Sequence, residues 1–203
     1  MDTVRSALAA LAVHPATAAH IGRKLAVHFV SDDPDADLVA TLARTFEATG
    51  GDLLAVTAAL LGHEASWSPV PAKVKDPFGF VQSALRALAM PDTALRDLRY
   101  PVGRRDLLVP LAEMGQGWEA PPGPDGWPEA AEDWVTPQAM AARISWSFTA
   151  PARLMDDLPD PRDFVLTALG PTPDPAVAFA ASAAENRVEG IGLVLSSPAF
   201  QRR

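Results

Sequence analysis

The stretch His14–Pro34, HPATAAHIGRKLAVHFVSDDP, decides the predicted fold because it carries a complete helix signal. His14 can cap a helix, and Pro15 suits the first helical position, where a backbone N–H would lack an intrahelical partner in any case. Apolar side chains then recur at helical spacing at Ile21, Leu25 and Phe29. The stretch therefore predicts a helix over residues 16–30.

The same signal, a capping residue followed by proline, recurs along the chain at Asp33-Pro34, Asp76-Pro77, Thr136-Pro137, Asp160-Pro161 and Asp174-Pro175. Behind these starts, apolar residues again fall at helical spacing and predict buried stripes: Leu38, Leu42 and Phe46; Phe78, Val81, Leu85 and Leu88; Met140 and Ile144. Gly50-Gly51-Asp52 adds a helix stop followed by a new start. The predicted helices lie near residues 3–12, 16–30, 35–48, 53–62, 77–90, 92–99, 104–113, 137–149, 161–169, 175–184 and 187–195.

These helices predict an all-α fold, an irregular bundle of about ten helices with one long loop rich in glycine, proline and tryptophan. Because alanine raises helix propensity throughout the chain, the prediction rests on caps and spacing and not on composition. A single domain over residues 1–203 is expected. The alternative is a pair of helical subunits, 14–113 and 136–203, joined by the loop 115–135.

The composition excludes several classes of function. The 203 residues contain no cysteine, which excludes disulfides, thiolate metal sites and a cysteine nucleophile. A net charge of −8 argues against nucleic acid as a partner, because phosphate backbones attract basic surfaces. No apolar stretch approaches the roughly 20 residues of a membrane span. The first residues lack a convincing cleavage site, so no export signal is predicted in this chain and its localisation is left open.

The segment 115–135, GQGWEAPPGPDGWPEAAEDWV, breaks the helical pattern and holds three of the chain's five tryptophans. Linkers rarely carry large aromatic residues, so this segment is expected to pack back onto the helices. Two interpretations follow for Trp118, Trp127 and Trp134. They anchor the loop in the core, which is the favoured interpretation, or together with Gln116 they bind a ligand by stacking and hydrogen bonding.

Other candidate sites are weaker. Lys73 and Lys75 precede the helix start at Asp76 and are a candidate anion site together with its free amides. The four histidines (His14, His20, His28 and His63) lack the spacing of a metal motif, and no metal or other cofactor is predicted. The aspartates 33, 35 and 37 resemble the opening of a calcium loop, but Leu38 stands where that loop needs glycine.

Several segments together resemble the bacterial family known as domain of unknown function 1800. The resemblance is carried by HPATAAHIGRKLAVHFVSDDP from His14, GDLLAVTAALLGHEASW from Gly51, KVKDPFGFVQSALRAL from Lys73, MGQGWEAPPGPDGWP from Met114 and SSPAFQRR at the C-terminus. It covers most of residues 14–203. Because members are commonly about twice this length, the chain resembles their C-terminal portion.

The resemblance implies no activity, cofactor or catalytic residue, and it leaves open whether the protein is an enzyme. It implies that full-length relatives are often exported, and it implies a protein partner encoded nearby. The leading hypothesis is therefore a helical binding or scaffold module of a larger bacterial protein. The alternative is a hydrolase or carbohydrate-active enzyme with its site near the loop 115–135.

Overall fold

A computed structural model describes residues 2–203, which are helical over most of their length. The helices are α1 Asp2–Ala12, α2 Pro15–Phe29, α3 Ala36–Ala48, α4 Leu53–Gly62, α5 Pro77–Ala87, α6 Asp92–Arg96, α7 Tyr100–Gly103, α8 Val109–Glu113, α9 Ala131–Trp134, α10 Pro137–Leu154, α11 Pro161–Leu169, α12 Pro175–Ala183, α13 Arg187–Ser196 and α14 Pro198–Gln201. A 3₁₀ turn covers Glu64–Trp67, and a π-helical turn, Arg104–Leu108, joins α7 to α8.

The predicted all-α class is confirmed. Strand-like pairing within the described part of the chain is limited to two isolated bridges, Val74 with Arg202 and Gly123 with Gly126. None of the helices described is both long and apolar enough to cross a membrane.

Five of the six predicted proline caps are confirmed, because each side chain accepts a hydrogen bond from a backbone N–H of the first turn: His14, Asp76, Thr136, Asp160 and Asp174. The cap at Asp33-Pro34 is wrong. Helix α3 begins at Ala36, and the Asp35 carboxylate accepts from the Asp37 and Leu38 amides at 2.8 and 3.2 Å. Asp35 is the side chain that reaches the free amides, which is what a cap requires.

The helices form two compact units whose boundary lies between Lys73 and Val74. Each unit has its own apolar core. This boundary differs from the joint suggested at the loop 115–135, which lies wholly within the C-terminal unit, Val74–Arg203. The choice between one domain and two subunits stays a prediction.

In the N-terminal unit, α2 packs against α3 through its small residues. Ala18, Gly22 and Ala26 are buried, and a Cβ on Gly22 would lie 3.1 Å from the Ala43 backbone nitrogen. The stripe predicted for α2 is wrong only at its C-terminal end, where Phe29 is 61% exposed, since Ile21 and Leu25 pack against the core of this unit. Small residues occupy the face of α2 that contacts α3 because they let the two backbones approach closely. A Leu or Phe there would push the helices apart.

In the C-terminal unit, α13 packs against α10, α11 and α12. Two glycines make this approach possible. A Cβ on Gly190 would lie 2.5 Å from the Pro161 side chain, and one on Gly192 would lie 2.5 Å from the Phe148 ring. The core beside α13 contains Phe80, whose ring meets those of Trp146 and Phe200 edge to face at 5.5 and 6.0 Å.

A buried arginine joins three segments of the C-terminal unit. Arg143 on α10 is fully buried, and its guanidinium donates to the Gln201 side-chain oxygen and to the Lys75 carbonyl, both at 2.8 Å. The Lys75 amide in turn donates to the Gln201 carbonyl at 2.9 Å. Arg143 takes the inward position predicted for its neighbour Ile144, which is 46% exposed. The guanidinium therefore fixes the C-terminal segment beside the start of α5.

We predict that Gly190→Ala destabilises the protein, because the new methyl group must displace the rigid Pro161 ring or the backbone behind it. Overpacking of this kind costs roughly 1–3 kcal/mol. Chemical denaturation followed by tryptophan fluorescence measures it. Gly62→Ala is the matched control, because a Cβ there meets no atom within 4 Å and raises helix propensity. Equal stability of the two variants would contradict the close packing of α13.

We predict that Arg143→Lys also destabilises the protein, by about 2–3 kcal/mol, because an ammonium keeps the buried charge but loses the planar fork that reaches both oxygens. The same denaturation experiment measures this loss. Arg86→Lys, at an exposed position of α5, is the control and should stay within about 0.5 kcal/mol of the unaltered protein. An Arg143→Lys variant as stable as this control would contradict a stabilising role for the two guanidinium hydrogen bonds.

Candidate tryptophan groove

The tryptophan-rich loop is anchored at both the end of α8 and the start of α5. At α8, the Gln116 amide donates to the Leu111 carbonyl at 2.8 Å, and Gly115 supplies the positive φ of 100° that turns the chain. At α5, the Gln116 side-chain oxygen accepts from the Phe78 amide at 2.6 Å. Gln116 therefore ties the loop to a residue 38 positions earlier in the sequence.

The three tryptophans of the loop differ in burial. Trp134 is 3% exposed, Trp127 is half-buried and Trp118 is 52% exposed. Trp127 lies near Trp134, with ring centroids 6.4 Å apart, and Trp118 lies 5.7 Å from the Phe78 ring. The loop also holds a short helix, α9, in a segment that the sequence predicts to be structureless. Trp134 thus packs into the protein while Trp118 remains accessible.

An open cavity of about 290 Å³ lies between this loop and the helices of its unit. We call it the tryptophan groove, and its lining residues are Phe78, Leu111, Gln116, Gly117, Trp118, Glu119 and Trp127. Three of the four predicted ligand-binding residues therefore share one cavity. The fourth, Trp134, is not among its lining residues.

Three hydrogen-bond donors of the groove have no protein acceptor within residues 2–203. The side-chain NH₂ of Gln116 and the indole N–H groups of Trp118 and Trp127 donate to no protein acceptor. The Glu119 carboxylate is exposed at the same cavity, and its backbone holds a positive φ of 54°, which is costly for a residue with a side chain. The groove therefore offers several donors and one carboxylate beside aromatic walls.

At the predicted anion site, Lys73 and the first amides of α5 already have partners within the protein. Lys73 belongs to the N-terminal unit, is almost fully buried, and donates to the Asp32 carboxylate. The amides at the start of α5 are also occupied, since the Gly79 amide donates to Asp76 at 2.8 Å and the Phe78 amide donates to Gln116. Anion binding here stays a prediction, and these contacts do not favour it.

Lys75 belongs to the C-terminal unit, and its ammonium lies over the Phe200 ring, 3.8 Å from the ring centre. Burial lowers the pKa of Lys75 from 10.5 to about 8, and the charges of Arg143 and Arg203 act in the same direction. The face of the Phe200 ring attracts the charged form and so acts in the opposite direction. Lys75 is therefore held where its charge is disfavoured.

The histidines lie in the N-terminal unit and line no part of the groove. His14 caps α2, as the alternative to a catalytic role predicted, with Nδ1 accepting from the Ala16 amide at 3.1 Å. His63 lies with its Nε2 atom 3.3 Å from the Asp37 carboxylate and accepts from the Ala65 amide at Nδ1. Among residues 2–203, no group of three potential ligands is arranged to hold a metal ion.

Four of the lining residues were not among the predicted ligand-binding residues: Phe78, Leu111, Gly117 and Glu119. Phe78 counted as part of the buried stripe of α5, yet it is 42% exposed and forms one wall. Leu111 carried no signal beyond helical spacing. Glu119 stands in the quoted loop between two tryptophans, and that neighbourhood was the signal that could have identified it.

We predict that Lys75→Met stabilises the protein at pH 7 and that this advantage shrinks as the pH rises. The folded state holds the lysine at a pKa of about 8 and the unfolded state at about 10.5, so the folded state binds fewer protons between these values. Stability of the unaltered protein therefore gains with pH in that window. Denaturation at pH 7, 8.5 and 10 measures the difference, with Lys24→Met as the charge-matched control. A constant Lys75→Met advantage at all three pH values contradicts the lowered pKa.

Comparison with known protein families finds a match. A family model described as "Protein of unknown function (DUF1800)" matches residues 1–202, which extends the predicted resemblance to essentially the whole chain. No curated protein and no solved structure matches the chain. The chain therefore belongs to the DUF1800 family, whose function is unknown.

Proposed function

We propose that this chain is a binding module whose tryptophan groove holds a small ligand or a small part of a larger one. The observation that carries the proposal is the meeting of three aromatic side chains, Phe78, Trp118 and Trp127, at one cavity with hydrogen-bond donors that no protein atom uses. Ligand sites combine such apolar walls with a few polar groups that fix orientation.

Exposure of Trp118 supports the proposal further. A tryptophan that only anchors a loop gains by full burial, as Trp134 does, whereas Trp118 keeps 52% of its surface in contact with solvent. The left-handed backbone of Glu119 adds a local cost at the next position. Strain of this kind collects at ligand sites, where the fold holds a side chain in a position it would not choose.

The alternative, a hydrolase or carbohydrate-active enzyme, has less support. Hydrolysis of a glycoside needs two carboxyl groups on opposite sides of the bond, and the groove lining holds only Glu119. A serine or histidine mechanism needs a base beside the nucleophile, and the lining includes neither residue type. On the family resemblance we also propose a protein partner encoded nearby, which copurification from the native host tests.

We predict that small probes bind at the groove and shift the NMR signals of the Trp118 and Trp127 indole N–H groups. The probes are a methyl glycoside, an alkylammonium salt and an aromatic carboxylate, which differ in charge and shape. Trp118→Ala should weaken binding of any probe that binds there by roughly 3- to 10-fold, because one aromatic contact is lost.

Trp67 provides the matched control, because it is 67% exposed in the N-terminal unit and lies outside the groove lining. Its signal should stay in place, and Trp67→Ala should bind as the unaltered protein does. If no probe shifts Trp118 or Trp127, or if Trp67 responds equally, the groove is not a binding site and the proposal fails.

A further inference from the structure

We infer that the ligand of the tryptophan groove is a weakly hydrated organic cation, an ammonium group that carries alkyl substituents and is joined to a group that accepts hydrogen bonds from the free donors of the groove. This inference rests on the proposed function and adds the chemical class of the ligand. It follows from the charge around the groove, from its aromatic walls and from the scarcity of oxygen ligands in its lining.

The charge of the loop is one-sided. Residues 115–135 contain five carboxylates and no lysine, arginine or histidine. The groove lining repeats this bias, with the Glu119 carboxylate and no cationic side chain. A negative field of this kind attracts cations and repels carboxylates and phosphates. The groove therefore disfavours anionic ligands before any contact is made.

The aromatic walls suit a cation as well. Phe78 and Trp118 stand with ring centroids 5.7 Å apart and planes inclined by 42°, so the two rings are tilted against each other and not stacked, and both line the cavity. Trp127 lines the same cavity. The faces of aromatic rings carry negative partial charge, tryptophan most of all, and they bind cations that lie within about 6 Å of the ring centre. A cation in the groove would therefore lie among aromatic rings and beside the Glu119 carboxylate, which all line the same cavity.

The nature of the cation follows from its hydration. A metal ion needs several oxygen ligands, and Glu119 is the only carboxylate in the lining. A bare ammonium is strongly hydrated and would lose water against carbon walls. An alkylated ammonium holds its shell of water loosely, so contact with Phe78, Trp118 and Leu111 costs it little. A neutral sugar can donate hydrogen bonds to a carboxylate, but unlike a cation it is not attracted by the net negative charge of the loop.

The experiment compares choline with 3,3-dimethylbutan-1-ol, in which a carbon atom replaces the charged nitrogen. Titration of the labelled full chain, followed by the indole N–H signals of Trp118 and Trp127, measures both affinities, with a methyl glucoside as a third probe. We expect choline to bind roughly 3- to 30-fold more tightly than its neutral counterpart. Higher salt should weaken choline and leave the neutral probe unchanged.

Two charge-matched variants locate the effect. Glu119→Gln should weaken choline about 3- to 10-fold without changing the neutral probe, because its carboxylate borders the groove. Glu132→Gln removes the same charge from the loop at an exposed position outside the lining, and it should change choline affinity less than about twofold. Circular dichroism of each variant checks that the helices persist.

The outcomes separate this inference from the proposed function. If the neutral probe or the glucoside binds at Trp118 and Trp127 as tightly as choline does, the groove is a binding site but its ligand is not a cation. Equal losses for Glu119→Gln and Glu132→Gln also overturn the inference, because the attraction would then belong to the loop and not to the groove. If none of the three probes shifts these signals, both the inference and the proposed function fail.

Discussion

The buried guanidinium of Arg143 is the contact through which the C-terminal unit organises its candidate site. It holds the Lys75 carbonyl and the Gln201 side chain, and so fixes where α5 begins. The start of α5 places Phe78, whose amide binds Gln116 and whose ring faces Trp118. One buried charge therefore connects the C-terminal residues to the shape of a groove formed by a loop elsewhere in the sequence. Its burial lowers the pKa of Arg143 to about 10, which still leaves it charged at neutral pH.

Helix positions could be predicted from the sequence because their signals are local. A capping side chain reaches an amide two or three residues away, so Asp76-Pro77 or Asp160-Pro161 carries the whole interaction within one stretch. The buried faces were harder to predict, since they depend on partners far along the chain. Hydrophobicity pointed to Phe29 and Ile144, whereas close backbone approach selected Gly22, and hydrogen bonding selected Arg143.

The candidate site was predictable in composition but not in geometry. Three tryptophans among prolines and glycines indicate a loop that packs, and Gln116, Trp118 and Trp127 do line one cavity. Nothing local separates the buried Trp134 from the accessible Trp118, because burial depends on which helix lies opposite. The position of Phe78 in the groove could not be predicted for the same reason, since it depends on a hydrogen bond to Gln116, 38 residues later in the sequence.

The π-helical turn Arg104–Leu108 has a geometric consequence for this groove. A π turn contains about one residue more than an α turn, and each α-helical residue rotates the chain by about 100°. The turn therefore sets the direction in which α8 presents Leu111, a wall of the groove, and the buried Met114 beyond it. Buried Asp106, paired with Arg105 and Arg153 at 2.6 and 3.0 Å, holds the turn in place. Loss of a single residue here would rotate α8 by about 100° about its own axis and so change which of its side chains line the groove.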